Sequence, residues 1–223
     1  MTSPPQMLAS EADARSFIQE MCDAVAMEKL ERFARHIGEE NERQNLISAR
    51  SLNTLWQRHL ADSAQLLNHV PRETMDDDGA VWLDLGSGPG LPGLVIAILR
   101  PRWSVKLVES RKRRVEFLES CVEDLTLPNC EIFGQRVERL VPFASTVISA
   151  RAFAPLPSLL KLAKPFSTAA TTYVLPKGRS ALQELETLGS AQRRLFHVEQ
   201  SLTDADAGII VGRTNNSPGR TPC

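Results

Sequence analysis

Cysteine pairs, histidine clusters and long apolar runs are all missing from this chain of 223 residues. Its four cysteines, Cys22, Cys121, Cys130 and Cys223, are scattered. With no CxxC and no paired histidines at ligand spacing, neither a disulfide framework nor a metal site is expected. Reduced thiols in a cytoplasmic protein are. No apolar run approaches the roughly 18 residues that a membrane helix needs. The opening "MTSPPQMLASEADAR" lacks the basic start and apolar block of a secretory signal. There are no internal repeats and no low-complexity tracts. What remains is 42% hydrophobic and 24% charged, the composition of a globular chain able to bury a core.

A net charge of −1 announces no partner, but it averages over an asymmetry. Residues 11–45 hold nine acids against five bases, whereas residues 100–114 hold seven bases (Arg100, Arg102, Lys106, Arg111, Lys112, Arg113, Arg114) against Glu109 alone. A local basic face on a neutral protein can bind phosphates, because exposed charges act within about 8–10 Å. The plainer reading of "RKRR" is a solvated helix face.

Apolar residues recur at three- and four-residue steps from Glu11 to about Val70, a helical pattern: Phe17, Ile18, Met21, Val25, then Leu30, Phe33, Ala34, Ile37. A further helix is expected from Asn53, as its cap, to Asn68. The polar stretch "PRETMDDDG" is the best boundary, dividing a helical extension (1–75) from an α/β unit (76–213) and a frayed tail (214–223). Beyond it, strands over 81–85, 104–108, 130–133, 146–150 and 171–175 alternate with helices near 91–100, 111–124, 156–164 and 180–188. Such alternation predicts a doubly wound, mostly parallel sheet. Two extended segments joined by a polar turn then predict an antiparallel C-terminal hairpin. The acidic helices are expected along the sheet edge, leaving one face for a partner.

The stretch "VWLDLGSGPGLPG" puts a glycine turn at the carboxyl end of the first strand, where open parallel sheets bind ligands. Two cofactors compete for it. Gly88, Gly90 and Gly93 match the spacing of a dinucleotide fingerprint, with Glu109 about 20 residues on for ribose hydroxyls. Asp84, Gly86, Gly88 and Gly90 instead match the first motif of S-adenosylmethionine-dependent methyltransferases, with the acid able to reach the charged methionine end. A carboxylate repels a pyrophosphate but not an ammonium, and Pro89 and Pro92 carry no N–H to donate to phosphate; both favour the methyl donor. A purely structural turn is the third possibility. Glu109, at the tip of strand two, could accept both ribose hydroxyls or be a surface acid. "GQRVERL" after strand three would meet the adenine edge or be an ordinary loop.

"NLISA", "RHLADS", "DLGSGPGLPG", "RVE", "ISARAF" and "LPKG" stand in the order found in ribosomal RNA small subunit methyltransferase G, also called the glucose-inhibited division protein B family, and over residues 20–190 the chain resembles it. The resemblance implies a Rossmann-like class I methyltransferase that moves a methyl group from S-adenosylmethionine to N7 of a guanine in 16S rRNA or the small ribosomal subunit, with no membrane or metal partner. It implies cofactor contacts at Gly86, Leu91, Val137, Glu138 and Arg151, and places Glu109 as the ribose acid. His59, Asp62 and Ser63 in "RHLADS", and Asn45 in "NLISA", fall in a signature near the active site, and Lys177 ends strand five. The chain departs from the family at Ser145, where an Asp is usual, and at Ala150, which raises the prospect of a register shift at the end of strand four.

Guanine N7 is a bare lone pair, so its methylation needs orientation rather than a general base, and no obvious base stands near the turn. His59 and Asp62 are expected to shape the guanine pocket, and Arg136, Arg151 and Lys177 to hold rRNA phosphates or base edges. The alternatives are a packing histidine for His59 and surface charges for Arg136 and Lys177. A nicotinamide-dependent oxidoreductase and a non-enzymatic rRNA-binding assembly factor are the competing functions.

Overall fold

The computed structural model describes residues 7–213; Cys223 and the expected tail at 214–223 lie outside them. Helix α1 (Glu11–Gln19) starts at Ser10, whose Oγ accepts the Asp13 N–H, and α2 (Ala24–Gln44) starts at Asp23, which accepts from Ala26. Asn45 ends α2 with φ +46, a left-handed cap that asparagine tolerates, and its side chain is exposed. It is the helix stop.

The helix expected from Asn53 to Asn68 is broken. Asn53 follows α3 (Ala49–Leu52) as its C-cap instead of opening a helix. A π-helical turn at Trp56–Ala61, α4 (Asp62–Ala64) and a 3₁₀ turn at Gln65–His69 take its place. Glu11 caps the π turn from outside, accepting the N–H groups of Trp56 and Gln57. Short α5 (Arg72–Met75) lies in the "PRETM" stretch.

The α/β unit follows: β1 (Val81–Leu85), α6 (Gly93–Leu99), β2 (Ser104–Val108), α7 (Lys112–Asp124), β3 (Cys130–Phe133), β4 (Ser145–Ser149), α8 (Leu156–Ala163), β5 (Ser167–Gly178), α9 (Ala181–Glu186), α10 (Ser190–Arg193), β6 (Phe196–Gln200) and β7 (Gly208–Arg213). The sheet order is β3-β2-β1-β4-β5-β7-β6, parallel through β5 and antiparallel at β7 and β6. The predicted parallel sheet and terminal hairpin are both present. The order reverses between β1 and β4, which sets the ligand crevice at their carboxyl ends. The register of β4 shifts near its start, between Ser145 and Val147; at its end Ser149 still pairs with Asp84 and Val174, so Ala150 does not displace it.

Two apolar layers cover the sheet. On one face Trp82, Leu107 and Val147 join Leu94 of α6, Leu118 of α7 and the helical extension (Ile18, Leu30, Phe33, Ile37) in one cluster. On the other, Leu83, Leu85 and Ile148 meet Leu159 of α8 and Leu185 of α9. The extension therefore packs over the helices that cover one face of the sheet, α2 against α6 and α7 and α4 against α6, and not along the sheet edge, which offers its apolar stripes no apolar plane.

The basic stretch 100–114 does not form one face either. Arg102 pairs with Asp78 before β2, and Lys106 on β2 pairs with Glu131, while Arg111 to Arg114 stand beyond its other end. Five strand residues span about 16 Å, more than the screening length, so only the second group can act at the carboxyl edge.

Candidate active site

The turn after β1 uses its own donors. Gly86 and Ser87 donate to the carbonyl of Val108, Gly90 and Leu91 to that of Ser87, Gly88 to Glu109 Oε2, and Gly93 to Asp84 Oδ2. Pro89 and Pro92 have none to give, and the Leu91–Pro92 peptide is cis. The turn therefore lacks the free N–H nest that holds a pyrophosphate.

Asp84 is fully buried behind this turn. Ser149 Oγ donates to its Oδ1 at 2.7 Å, and Trp82 Nε1 donates to Ser149 at 2.8 Å. Burial pushes the Asp84 carboxyl up from 3.8 to about 6, against those hydrogen bonds and the charge of Arg151. Asp84 thus braces the turn against β4 and the start of α6. Gly90 and Leu91 also serve packing. A Cβ at Gly90 (φ +87) would sit 2.5 Å from Leu94, and the Leu91 side chain is buried.

Gly86 is different. At φ +69 its open side meets the ring of Phe153, 2.4 Å from where a Cβ would lie. Glu109 is fixed beside it: Ser110 and Arg111 donate to Oε1 at 2.7 and 2.8 Å, and Gly88 to Oε2 at 3.1 Å. A carboxylate accepts about four hydrogen bonds, so acceptor capacity remains beside these three. Val137 and Glu138 form a 3₁₀ turn after β3, the first buried and the second exposed.

A second cluster lies across the crevice. Arg151 Nη1 donates to His59 Nδ1 at 3.0 Å and stands 4.0 Å from Asp62. Its charge also acts on Asp84 behind the glycine turn. Arginine has no lone pair to offer, so Nδ1 must accept and Nε2 carries the proton. That Nε2 is buried and has no hydrogen-bond partner among the described residues. Burial, reinforced by Arg151 and Arg58, lowers the His59 pKa from 6.5 to about 3, so the ring stays neutral. Asp62 accepts from Gln65 and Thr203 at 2.8 and 2.7 Å; burial raises its pKa while Arg151 opposes the rise. Ser63 Oγ donates to the His59 carbonyl at 2.6 Å, closing the π turn that presents the imidazole. A cavity of about 330 Å³ opens here, lined by His59, Asp62, Arg151, Pro176, Gly178 and Thr203.

Lys177 does not join this site as a free cation. Its side chain is only 5% exposed, paired with Glu184 at 2.8 Å and donating to the Ala154 carbonyl. Arg136 is exposed beside the Val137 turn. The site also contains residues that sequence reasoning missed: Ser149, Phe153, Gln65, Thr203 and Glu184. Ser149 and Phe153 sit inside "ISARAF" and were within reach, but Gln65, Thr203 and Glu184 are ordinary polar residues whose partners lie up to 141 positions away.

Among the described residues no group of three or more His, Cys, Asp or Glu side chains could hold a metal, and no helix is long and apolar enough to cross a membrane. A larger cavity between α2 and α7, about 690 Å³, lies apart from both clusters.

Known proteins match this arrangement. The family model for rRNA small subunit methyltransferase G covers residues 26–207. The ribosomal RNA small subunit methyltransferase G of Erythrobacter litoralis is 55% identical over 207 residues, 93% of this chain and 98% of that protein. That of Sphingopyxis alaskensis is 49% identical, over 85% and 79% of the two chains. Among solved structures, a chain of a fibrillarin/Nop5p complex aligns with a TM-score of 0.55 at 16% identity, over 71% of this chain and 82% of that one, a likeness of fold. With its doubly wound sheet, its self-satisfied glycine turn and a match over most of its length, the chain belongs to the rRNA small subunit methyltransferase G family.

Proposed function

We propose that the protein transfers a methyl group from S-adenosylmethionine to N7 of a guanine in the 16S rRNA of the small ribosomal subunit, in the cytoplasm. The observation that carries this reading is the exhausted set of N–H donors in the glycine turn. A dinucleotide would find no backbone donors for its pyrophosphate there, which argues against a nicotinamide oxidoreductase; a sulfonium cofactor has no phosphate and asks for none. Glu109 keeps one acceptor position for a ribose hydroxyl, Gly86 and Gly88 let Phe153 and Arg114 close onto the turn, and Val137 and Glu138 flank the adenine. When bound, S-adenosylmethionine supplies an electrophilic methyl group on a positively charged sulfur.

The acceptor side fits a nucleophile that needs no deprotonation. His59 has given its lone pair to Arg151, so it is not a base. Its remaining N–H is a donor without an acceptor, and we assign it to guanine O6, the oxygen beside N7. Arg151 and Asp62 hold that ring in its tautomer, while Arg136 and the exposed Arg111 and Arg113 meet rRNA phosphates. Orientation is then the main contribution of the protein to the rate.

The test is methyl transfer to ribosomal particles from a strain lacking this protein, with the product mapped for N7-methylguanine by strand scission. Labelled methyl at one 16S guanine is the expected result. A protein that binds the rRNA without transferring label would be an assembly factor, and label on another atom or RNA would move the target.

A further inference from the structure

We infer that Lys177 and Glu184 are positioning residues for methyl transfer, an ion pair that clamps the loop between β4 and α8 over the glycine turn. This rests on the methyl-transfer reading above.

The loop, residues 151–155, holds Ala152 at φ +50. An alanine keeps that left-handed conformation only where its surroundings fix it from both sides. On the N-terminal side Arg151 is held by His59 and Asp62. On the C-terminal side the Ala154 carbonyl accepts from Lys177 Nζ at 2.8 Å, and the Leu156 N–H donates to Glu184 Oε2 at 3.0 Å. Lys177 and Glu184 then close on each other at 2.8 Å, and the single Ser180 O–H is shared between the Lys177 carbonyl and Glu184 Oε1. Between the two anchors lies Phe153, pressed onto Gly86.

Stability alone is a poor account of this pair. A buried ion pair is often no better for folding than an apolar pair of the same volume. What the pair does that an apolar one cannot is take one specific carbonyl and one specific N–H of a strained loop. The loop carries a group to each half of the crevice: Arg151 to the acceptor cluster and Phe153 to the turn. Slack in it would misplace both, and a shift of about 1 Å at a reacting centre can cost a hundredfold in rate.

The test uses Lys177→Met, Glu184→Gln and Lys177→Arg in the full chain. Single-turnover methyl transfer on ribosomal particles, at saturating S-adenosylmethionine, should fall at least about tenfold in the first two. The arginine variant, which can donate to both partners, should recover to within about threefold of the parent. In an Arg151→Ala background Lys177→Met should cost less than about twofold, because both act through one loop. Independently of activity, amide exchange over residues 151–156 should quicken at least about tenfold in Lys177→Met and Glu184→Gln while β1 and β4 keep their protection. Unchanged rates in both variants, additivity with Arg151→Ala, or exchange that rises uniformly across the sheet would each overturn the assignment. If Lys177→Met fails to fold, Glu184→Gln carries the same measurements. A parent that transfers no methyl group sinks the function and removes a positioning role with it, whereas an active parent with indifferent variants sinks the clamp alone.

Discussion

Asp84 shows how one buried carboxylate can set a site from behind it. Its folded pKa is raised to about 6 from 3.8. Between those values the unfolded chain ionises first, so this group lowers stability as pH rises from about 4 to 6 and adds nothing further above that. Asp84→Asn should therefore gain on the parent by up to about 3 kcal/mol across that interval in urea titrations, then hold level; a pH-independent difference would exclude the burial account. Ser149→Ala should cost about 1–3 kcal/mol, since it strands both the Trp82 N–H and Asp84 Oδ1 in the core. Arg151→Ala leaves both apolar layers untouched, and should keep the fold while cutting methyl transfer at least about tenfold. Full activity in that variant would take Arg151 out of the site. His59, neutral down to about pH 3, should contribute no ionisation to the rate profile between pH 5 and 9.

At the scale of elements the sequence was uneven. Strands β1 to β3 are legible to the residue, because each is a short β-type run set off by turn residues from the helical segment that follows. The π turn is not. An inserted residue inside a helical run leaves the apolar spacing nearly intact, yet it is what turns His59 toward Arg151. Lys177 was misread for a related reason: its partner Glu184 lies one element later, and no local pattern announces a lysine buried by a helix packed over its strand. The first turn of α7 carries Lys112, Arg113 and Arg114 after Arg111, with no acid. If these bases meet rRNA, replacing Arg111 and Arg113 with alanine should weaken binding to all sequences alike and reduce the log–log salt slope by roughly 2. An unchanged slope would move the RNA contact elsewhere.

For the whole molecule, the boundary near residue 75 separates compositions rather than cores. Ile18, Phe33 and Ile37 share one apolar cluster with Trp82 and Leu94. We propose 1–75 as an extension that belongs to the folding unit of 76–213. A chain beginning at residue 76 should then lose cooperative unfolding by calorimetry; a sharp transition in that fragment would show two units. The two-layer fold follows from alternation and apolar content that any reading of the sequence could find. The acceptor cluster does not, because its members come from the extension, from the loop after β4 and from the β6–β7 connection.

The bond from Thr203 to Asp62 spans 141 positions of the 223-residue chain. During synthesis Asp62 and His59 leave the ribosome early, while the residues that complete their surroundings are translated last. At about 5–20 residues per second the delay is on the order of ten seconds. Throughout it the carboxylate and imidazole remain solvated, with ordinary pKa values and no fixed tautomer. The enzyme is thus born without its acceptor site, and acquires it only when almost all of its own translation is done.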